Sequence, residues 1–265
     1  MTDCAPLKVS QIAAAIEQVA PLRLQENYDN AGLQVGNPEM NVSGVLLCTD
    51  ITPAVLDEAI ARGMNMVISH HPLIFGGLKH ITGATYIERV ITRAIKHDIA
   101  LYCAHTNMDS AAGGVSWRMA DKLSLTDVEP LDPNPEHPTA GLGVVGNIKP
   151  TTGNELLQDV KRAFRCASVR YSGATQTAVT RVALCGGSGA FLIDKAQRAG
   201  AQAFITGEMK YHDFARAYEG ILLADIGHYE SEQYTKEIFR EIIQQLKPHF
   251  TVDFAREEAN QIHYL

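Results

Sequence analysis

The sequence has few cysteines, and their arrangement excludes a protein stabilised by a disulfide framework. The five cysteines are odd in number and form no C-x-x-C pair. Cys48, Cys103 and Cys185 lie within apolar runs, where a free thiol behaves as a small hydrophobic side chain. With Cys4 and Cys166 as the other two, this usage is typical of a reducing compartment, and we expect a cytoplasmic protein.

Long apolar stretches and strongly basic runs are also missing. No stretch is long enough to cross a bilayer, and the first residues have no apolar core of signal length, so we expect neither export nor membrane insertion. The formal charge is −7, and the densest basic run is Lys161-Arg162 with Arg165 nearby. Binding of duplex nucleic acid by phosphate neutralisation is therefore disfavoured.

Two adjacent histidines follow a short apolar run. His70 and His71 come directly after this run and directly before Pro72. A strand that stops at such a loop places its last side chains at the carboxyl edge of a sheet, where open α/β folds bind ligands. Neighbouring side chains of a strand point to opposite faces, so both imidazoles serve one site only if the chain turns there.

Two later apolar runs end in a similar way. One leads into His105, with Asp109 four residues on, and the other leads into His228, with Glu232 four residues on. Glu232 and His228 share one face if the helical period that follows begins there. A mixed nitrogen and oxygen set of this size suits two divalent ions that share a carboxylate. The predicted ligands are His70, His71, Asp109, His228 and Glu232.

Structural interpretations of the same residues stay open. A single histidine among the ten in the chain is usually a surface residue or a satisfied core residue. Asp109 could instead cap a helix that starts near Gly114, and Glu232 could be a first-turn acid favoured by the helix dipole. The glycine-rich residues 185–189 could present amides to a phosphate, but a tight strand-to-helix turn is the simpler interpretation.

An internal repeat predicts two similar lobes. Cys48 matches Cys185 and Ile68 matches Ile205 without gaps, at a constant offset of 137 residues. Each copy is typical of a strand, a helix, a glycine C-cap and a second strand. We therefore predict an α/β fold from an internal duplication, with mixed sheets flanked by helices and a metal site in the cleft between the lobes.

The predicted lobes are divided by a proline-rich segment. Three prolines in residues 132–138 mark the boundary. We expect a first lobe over residues 1–130, completed by residues 229–265, and a second over residues 131–228. The helical pattern predicts a first helix with Ser10 as its N-cap and one terminal helix over residues 229–246.

Six motifs in chain order carry a resemblance to a known family and span nearly the whole chain. They lie at residues 28–36, 69–75, 104–109, 185–189, 206–213 and 227–232. Together they resemble the GTP cyclohydrolase I type 2 family, also called the Ngg-interacting-factor-three-like proteins. The chain is similar to a short form of that family, without the middle domain that longer members carry as an insert.

The resemblance implies a dinuclear metal centre in a ring-shaped oligomer. It assigns the five predicted ligands to two divalent ions per chain, with Glu232 as the bridge and His105 beside the metals. Imidazole and carboxylate ligands accept Zn, Fe, Mn, Co or Ni, so the sequence does not specify the metal. It also implies a homohexamer whose sites face an inner cavity.

We expect a metal-dependent hydrolase that acts on a nucleotide or related heterocycle, or on a phosphoester, with His105 as general acid or base. The alternative is a non-catalytic metal-binding ring that acts as an interaction or metal-handling protein. The expected partner is a small molecule, and neither duplex nucleic acid nor a membrane is expected. Further candidates for contacting substrate or orienting ligands are Lys79, Glu208 and His212. Glu208 and His212 could equally cap and pair on a helix surface, and Lys79 is by default a solvated loop residue.

Overall fold

The computed structural model describes residues 6–265, so Cys4 lies outside the described part of the chain. These residues form a mixed α/β fold with two sheets flanked by helices, as predicted. None of the helices described is long and apolar enough to cross a membrane. The helices are α1 (Val9–Val19), α2 (Pro53–Ala61), α3 (Tyr86–Lys96), α4 (Thr106–Ser110), α5 (Val115–Lys122), α6 (Gly153–Ala163), α7 (Ile193–Arg198), α8 (His228–Glu232) and α9 (Thr235–Leu246). The strands are β1 (Gly32–Val35), β2 (Val45–Cys48), β3 (Met66–Ser69), β4 (Ala100–Cys103), β5 (Thr126–Pro133), β6 (Gly141–Thr152), β7 (Arg170–Ser172), β8 (Ala178–Cys185), β9 (Ala203–Thr206), β10 (Leu222–Asp225) and β11 (Val252–Phe254).

The described residues divide into two compact units. The first contains residues 6–108 and 235–261, and the second contains residues 109–234 and 262–265. This division differs from the predicted one at residues 229–234, 262–265 and 109–130, all of which were expected in the first lobe. The longest of these segments is residues 109–130. They lie in the second unit because Met119 and its neighbours on α5 are part of a core with β6 and β8.

The first unit is built on a five-stranded sheet in the order β1-β4-β3-β2-β11. All neighbouring strands are parallel except β1, which is antiparallel to β4. Every residue of β2, β3 and β4 is buried, as expected for continuous apolar runs covered on both faces. Because these three strands are parallel, the residues that follow them meet at one edge of the sheet.

Helices of the first unit begin where side chains satisfy the first backbone amides. The hydroxyl of Thr52 accepts from the N–H of Val55 at the start of α2, and Thr85 does the same for Glu88 at the start of α3. The predicted cap of α1 was wrong, because the helix already begins at Val9. Its cap residue is Lys8, whose N–H donates to the side chain of Gln11 at 2.8 Å, so Ser10 lies inside the helix.

The second unit is built on a six-stranded sheet in the order β5-β6-β8-β9-β10-β7. β8, β9 and β10 are parallel, and the remaining pairs are antiparallel. The proline-rich residues 132–138 contain the end of β5 and the turn into β6, and Pro133 pairs with Gly141. A Cβ at Gly141 would overlap the carbonyl of Asp132, so this hairpin requires glycine.

The two copies of the sequence repeat have the same strand register. In the first unit β2 pairs with β3 from Val45 opposite Met66, and in the second β8 pairs with β9 from Val182 opposite Ala203. Both partners are shifted by the same 137 residues, and the register continues through Cys48 and its counterpart Cys185. A helix connects each pair, as α2 and α7 respectively.

The predicted terminal helix is two helices. α8 ends at Glu232, and α9 starts at Thr235 in the first unit. The break falls at Tyr234, whose hydroxyl donates to the carbonyl of Ala163 at 2.9 Å and whose ring lies 6.1 Å from that of Phe164. These contacts place Tyr234 in the core of the second unit, while α9, which starts at the next residue, belongs to the first unit.

Candidate metal centre

Three imidazoles meet at the edge of the first sheet. His70 and His71 directly follow β3, and His105 follows β4 after one intervening residue. The ring centroids of His70 and His71 are 4.9 Å apart, and that of His105 lies 5.3 and 5.4 Å from them. The chain therefore turns after β3, as a shared site requires. One ligand atom from each ring lies within 4.8 Å of the other two, so the group could hold a metal ion.

Hydrogen bonds at Nδ1 orient the first two rings. His70 Nδ1 lies 3.1 Å from the carbonyl oxygen of Ala104, and His71 Nδ1 lies 2.9 Å from Oδ1 of Asp50. Carbonyl and carboxylate oxygens only accept, so Nδ1 carries the proton in each ring. The lone pair is then on Nε2, and this arrangement is usual for histidines that bind a metal.

The loop that carries Asp50 is itself restrained. The N–H of Thr49 donates to the carboxylate of Glu258, which also pairs with Lys236. The side chain of Glu258 is 3% exposed and that of Lys236 is 12% exposed. The C-terminal part of the unit thus holds the residue before Asp50, and with it the carboxylate that orients His71.

Asp29 orients the third ring. Its Oδ1 lies 2.8 Å from His105 Nδ1, and its Oδ2 accepts from the hydroxyl and from the N–H of Thr106, the latter at 3.0 Å. Burial opposes ionisation of Asp29, but the hydrogen bonds from His105 and Thr106 outweigh it and hold the pKa of this carboxyl well below its usual range. Asp29 is therefore ionised at neutral pH and keeps the proton of His105 on Nδ1.

A second group of site residues lies in the second unit. His228 Nε2 is 3.1 Å from Oε2 of Glu232, and His228 Nδ1 is 3.2 Å from Oε2 of Glu208. The side chain of Glu232 is 3% exposed. Glu208 therefore orients the His228 ring by a hydrogen bond at Nδ1. The first-turn interpretation of Glu232 was wrong, because this residue ends α8 and the long helix starts at Thr235.

Asp109 also belongs to the second unit, where it lies near the end of α4. It does not cap α5, because the cap residue of that helix is Gly114. Burial raises the pKa of the Cys185 thiol, and the charges of Asp109 and Glu232 raise it further. The two carboxylates therefore act on the same buried thiol of the second sheet.

The glycine-rich segment after β8 forms a tight turn, which confirms the simpler interpretation of residues 185–189. Three of its backbone amides already donate to hydroxyls, so they are not presented to an anion. The helix α7 begins only after a further 3-10 turn, Ala190–Leu192. The three pairs are Gly186 with Ser116, Gly187 with Ser231, and Gly189 with Thr206.

The other candidate residues are placed differently from one another. Lys79 lies in an exposed loop before α3. His212 is exposed in the 3-10 helix Tyr211–Glu219, with its ring 5.2 Å from that of Tyr211. Of Lys79, Glu208 and His212, only Glu208 has a described hydrogen bond to an imidazole of the site.

Two carboxylates that orient histidines in the first unit, those of Asp50 and Asp29, were not predicted from the sequence. Asp50 follows β2 in the way that the predicted histidines follow β3 and β4, so its position at a strand end is a local signal for a site residue. Asp29 lies within a recognised motif, but its contact with His105 joins residues 76 apart in sequence. Only the folded structure brings those two together.

The donor set fits a divalent transition metal. Several groups of histidine and acidic side chains among residues 6–265 could hold an ion. Neutral imidazole nitrogens with carboxylate oxygens are ligands that Zn, Fe, Mn, Co and Ni all accept. Oxygen atoms hydrogen-bonded to Nδ1 of His70, His71 and His105 leave the lone pair of each ring on Nε2. A metal-binding imidazole needs a free lone pair of this kind.

Two mixed sheets flanked by helices, with oriented imidazoles at a sheet edge, define an α/β protein with a candidate metal centre. Residues 7–261 match the model of the Duf34/NIF3 (NGG1p interacting factor 3) family, and the chain belongs to this family. The resemblance found in the sequence is thereby confirmed.

Known relatives agree with this assignment. The chain is 37% identical over 229 residues to a GTP cyclohydrolase 1 type 2 homolog of Clostridium perfringens, covering 85% of this chain and 87% of the relative. It is 35% identical over 232 residues to the homolog of Streptomyces coelicolor, covering 85% and 81%. The crystal structure of Staphylococcus aureus protein SA1388 superposes with a TM-score of 0.89 at 27% identity, over 98% of this chain and 100% of that one.

Proposed function

We propose that this chain is a hydrolase that depends on two divalent metal ions. The proposed ligands are His70, His71, Asp109, His228 and Glu232, with Glu232 bridging the two ions. The observation that carries the proposal is the orientation of the imidazoles: each Nδ1 is held by an oxygen, which leaves each Nε2 as a donor. Histidines that bind a metal are usually oriented in this way, so the geometry supports a metal centre.

The bound ions would supply Lewis-acid chemistry, by generating a nucleophile at neutral pH and by neutralising negative charge. His105 is the general acid or base. Its Nε2 carries a lone pair because Asp29 holds the Nδ1 proton, so the ring accepts a proton at Nε2 and returns it to a leaving group. Asp29 stabilises the imidazolium that this transfer produces.

The proposed substrate is a nucleotide or related heterocycle. The relatives are named as homologs of GTP cyclohydrolase 1 type 2, and opening of a purine imidazole ring is one reaction of this class. Hydrolysis of a phosphoester is the other reaction that two metals with one acid-base group support.

We also propose the finer features of the architecture that the resemblance implies. Two lobes from one duplication are supported by the common register of β2 with β3 and of β8 with β9. The metal centre would be shared by the two lobes, and the chains would form a homohexamer. A molecular mass from light scattering of six times the 28.9 kDa of one chain would agree with this assembly. A fully active monomer at micromolar concentration would refute it. A cytoplasmic location is supported by buried, unpaired Cys48, Cys103 and Cys185.

The test compares catalysis with a purely structural metal role. Protein purified without added metal is analysed for its metals, then reloaded with the metal found and assayed on nucleotides and phosphoesters. Asp109→Ala should stay folded and assembled but lose turnover. If the variant instead loses its assembly together with its metal, and the native protein turns over none of the substrates, the chain is a metal-binding ring and not a hydrolase.

A further inference from the structure

Two aromatic side chains beside the imidazole group are exposed to solvent. Tyr28 is 63% exposed and Phe75 is 52% exposed, and their ring centroids are 6.2 Å apart. The ring of Phe75 also lies 6.2 Å from that of His105, in an edge-on arrangement. These two residues, the aromatic pair, therefore border the acid-base residue of the proposed site and leave apolar ring surface in water.

The position of Phe75 is fixed by the loop that carries it. The preceding residue, Ile74, donates its N–H to Oε1 of Gln34 at 3.0 Å, and its carbonyl accepts from Nε2 of Gln34 at 3.1 Å and from Nδ2 of Asn30 at 2.6 Å. Both polar groups of the Ile74 backbone are thus satisfied by side chains. Phe75 is held out beside His105 by a restrained backbone, so little freedom would be lost on binding a ligand.

One short segment organises both the acid-base residue and the aromatic pair. Asp29 orients His105, while Asn30 and Gln34 hold the loop of Phe75. Tyr28 directly precedes Asp29, so the side chain of Tyr28 is placed by the same segment. Residues 28–34 therefore position both the aromatic pair and the proposed acid-base residue His105.

We propose that the aromatic pair binds a planar heterocyclic ring of the substrate by stacking and presents that ring to His105. The proposal rests on the proposed hydrolase and narrows its substrate class to compounds with an aromatic base, such as purine nucleotides. Aromatic side chains stack on any base because every base has a π-face, and exposed ring surface gains most from being covered. A sugar phosphate without a base would leave both rings in water.

The experiment separates base binding from turnover. GMP and ribose 5-phosphate carry the same sugar and phosphate and differ in the base, and their affinities are measured by calorimetry on metal-free and on metal-loaded protein. GMP should bind at least about tenfold more tightly than ribose 5-phosphate. Phe75→Ala and Tyr28→Ala should each remove most of this advantage, while Phe75→Trp should retain it because a ring is kept.

Controls guard against indirect effects. Tyr218 is 96% exposed in the second unit, so Tyr218→Ala removes an exposed aromatic side chain of the same type and should leave the GMP advantage unchanged. Metal content and melting temperature of the Phe75 and Tyr28 variants should match those of the native protein, because both side chains are largely in solvent.

Three results would overturn the proposal. They are equal affinities for the two probes, no binding of either probe at millimolar concentration, and a GMP advantage that survives both alanine variants. Failure of the hydrolase proposal looks different, since GMP would then bind through the aromatic pair without being turned over. Turnover of nucleotides and of base-free phosphoesters with no preference between them would refute stacking and leave the hydrolase standing.

Discussion

Oδ1 of Asp29 lies 2.8 Å from Nδ1 of His105 and accepts its hydrogen bond. This contact joins the segment before β1 to the residues that follow β4. The contact leaves the lone pair of His105 on Nε2, and it places a buried negative charge beside Nδ1. An imidazole arranged in this way is suited to taking up a proton at Nε2.

The first prediction concerns the role of His105. His105→Ala should keep the metal content and lower the hydrolytic rate by about two to four orders of magnitude, the usual effect of removing a general acid or base. Asp29→Asn should also retain the metal and slow the reaction, because the ring can then adopt the other tautomer. Metal analysis and steady-state kinetics on both variants check this. Loss of metal from His105→Ala would show that His105 is a ligand instead.

The second prediction concerns Glu232 as the bridging ligand. Glu232→Ala should weaken both ions together, because a bridging carboxylate touches each of them. Elemental analysis after reconstitution should give about two equivalents for the native protein and markedly fewer for the variant. Glu219→Ala, which removes an exposed acid of the same unit, serves as control and should keep both ions. Loss of a single ion would contradict the bridging role.

The sequence alone predicts the strands of the sheet interiors well and those of the edges poorly. The apolar runs at residues 66–69 and 203–206 each predict a buried strand, and β3 and β9 have these bounds because they are covered on both faces. The sequence predicts no strand at residues 32–35, 126–133 and 170–172, where β1, β5 and β7 lie at sheet edges. β5 contains Pro130 and Pro133, which an edge strand tolerates because one side of it needs no partner. Edge strands form through pairing with a neighbour, which local sequence does not reveal.

The same limit applies to the site. His70, His71 and His105 were predicted because they follow apolar runs, which is a local signal. The acids behind them are tertiary partners: Asp50 is 21 residues from His71, and Asp29 is 76 residues from His105. The strand-end position of Asp50 marks it as a candidate, but spacing does not show that Asp50 pairs with His71 or Asp29 with His105. The ring orientations are therefore seen only in the fold.

The third prediction is a pH dependence of stability that arises from Glu88. Hydrogen bonds from the backbone and the hydroxyl of Thr82, with further ones from Ala84 and Thr85, lower the pKa of Glu88 from 4.5 to about 2. A lowered pKa in the folded state means that ionised Glu88 stabilises the fold above pH 4.5, and that this stabilisation is lost as the pH falls towards 2.

Urea unfolding of the native protein and of Glu88→Gln, compared from pH 3 to pH 7, checks this. The native protein should be the more stable of the two at pH 6–7, and the difference should shrink below pH 4.5. A difference that is constant with pH, or an NMR titration of the Glu88 carboxyl near 4.5, would contradict the prediction.

The last prediction tests whether the turn at Gly187 makes room for the proposed bridging carboxylate. Gly187 has a φ of +60°, and a Cβ built on it would overlap Oε1 of Glu232. Gly200 has a φ of +77°, and a Cβ there would meet nothing within 4 Å. Alanine at either position carries a similar backbone cost of about 1–2 kcal/mol, so the two variants should lose similar stability from that source.

Only Gly187→Ala should displace Glu232, and we expect its metal affinity to fall by about tenfold or more while that of Gly200→Ala stays native. Competition with a chelator measures both affinities; equal affinities in the two variants would mean that Glu232 does not bind metal, or that its carboxylate shifts without cost.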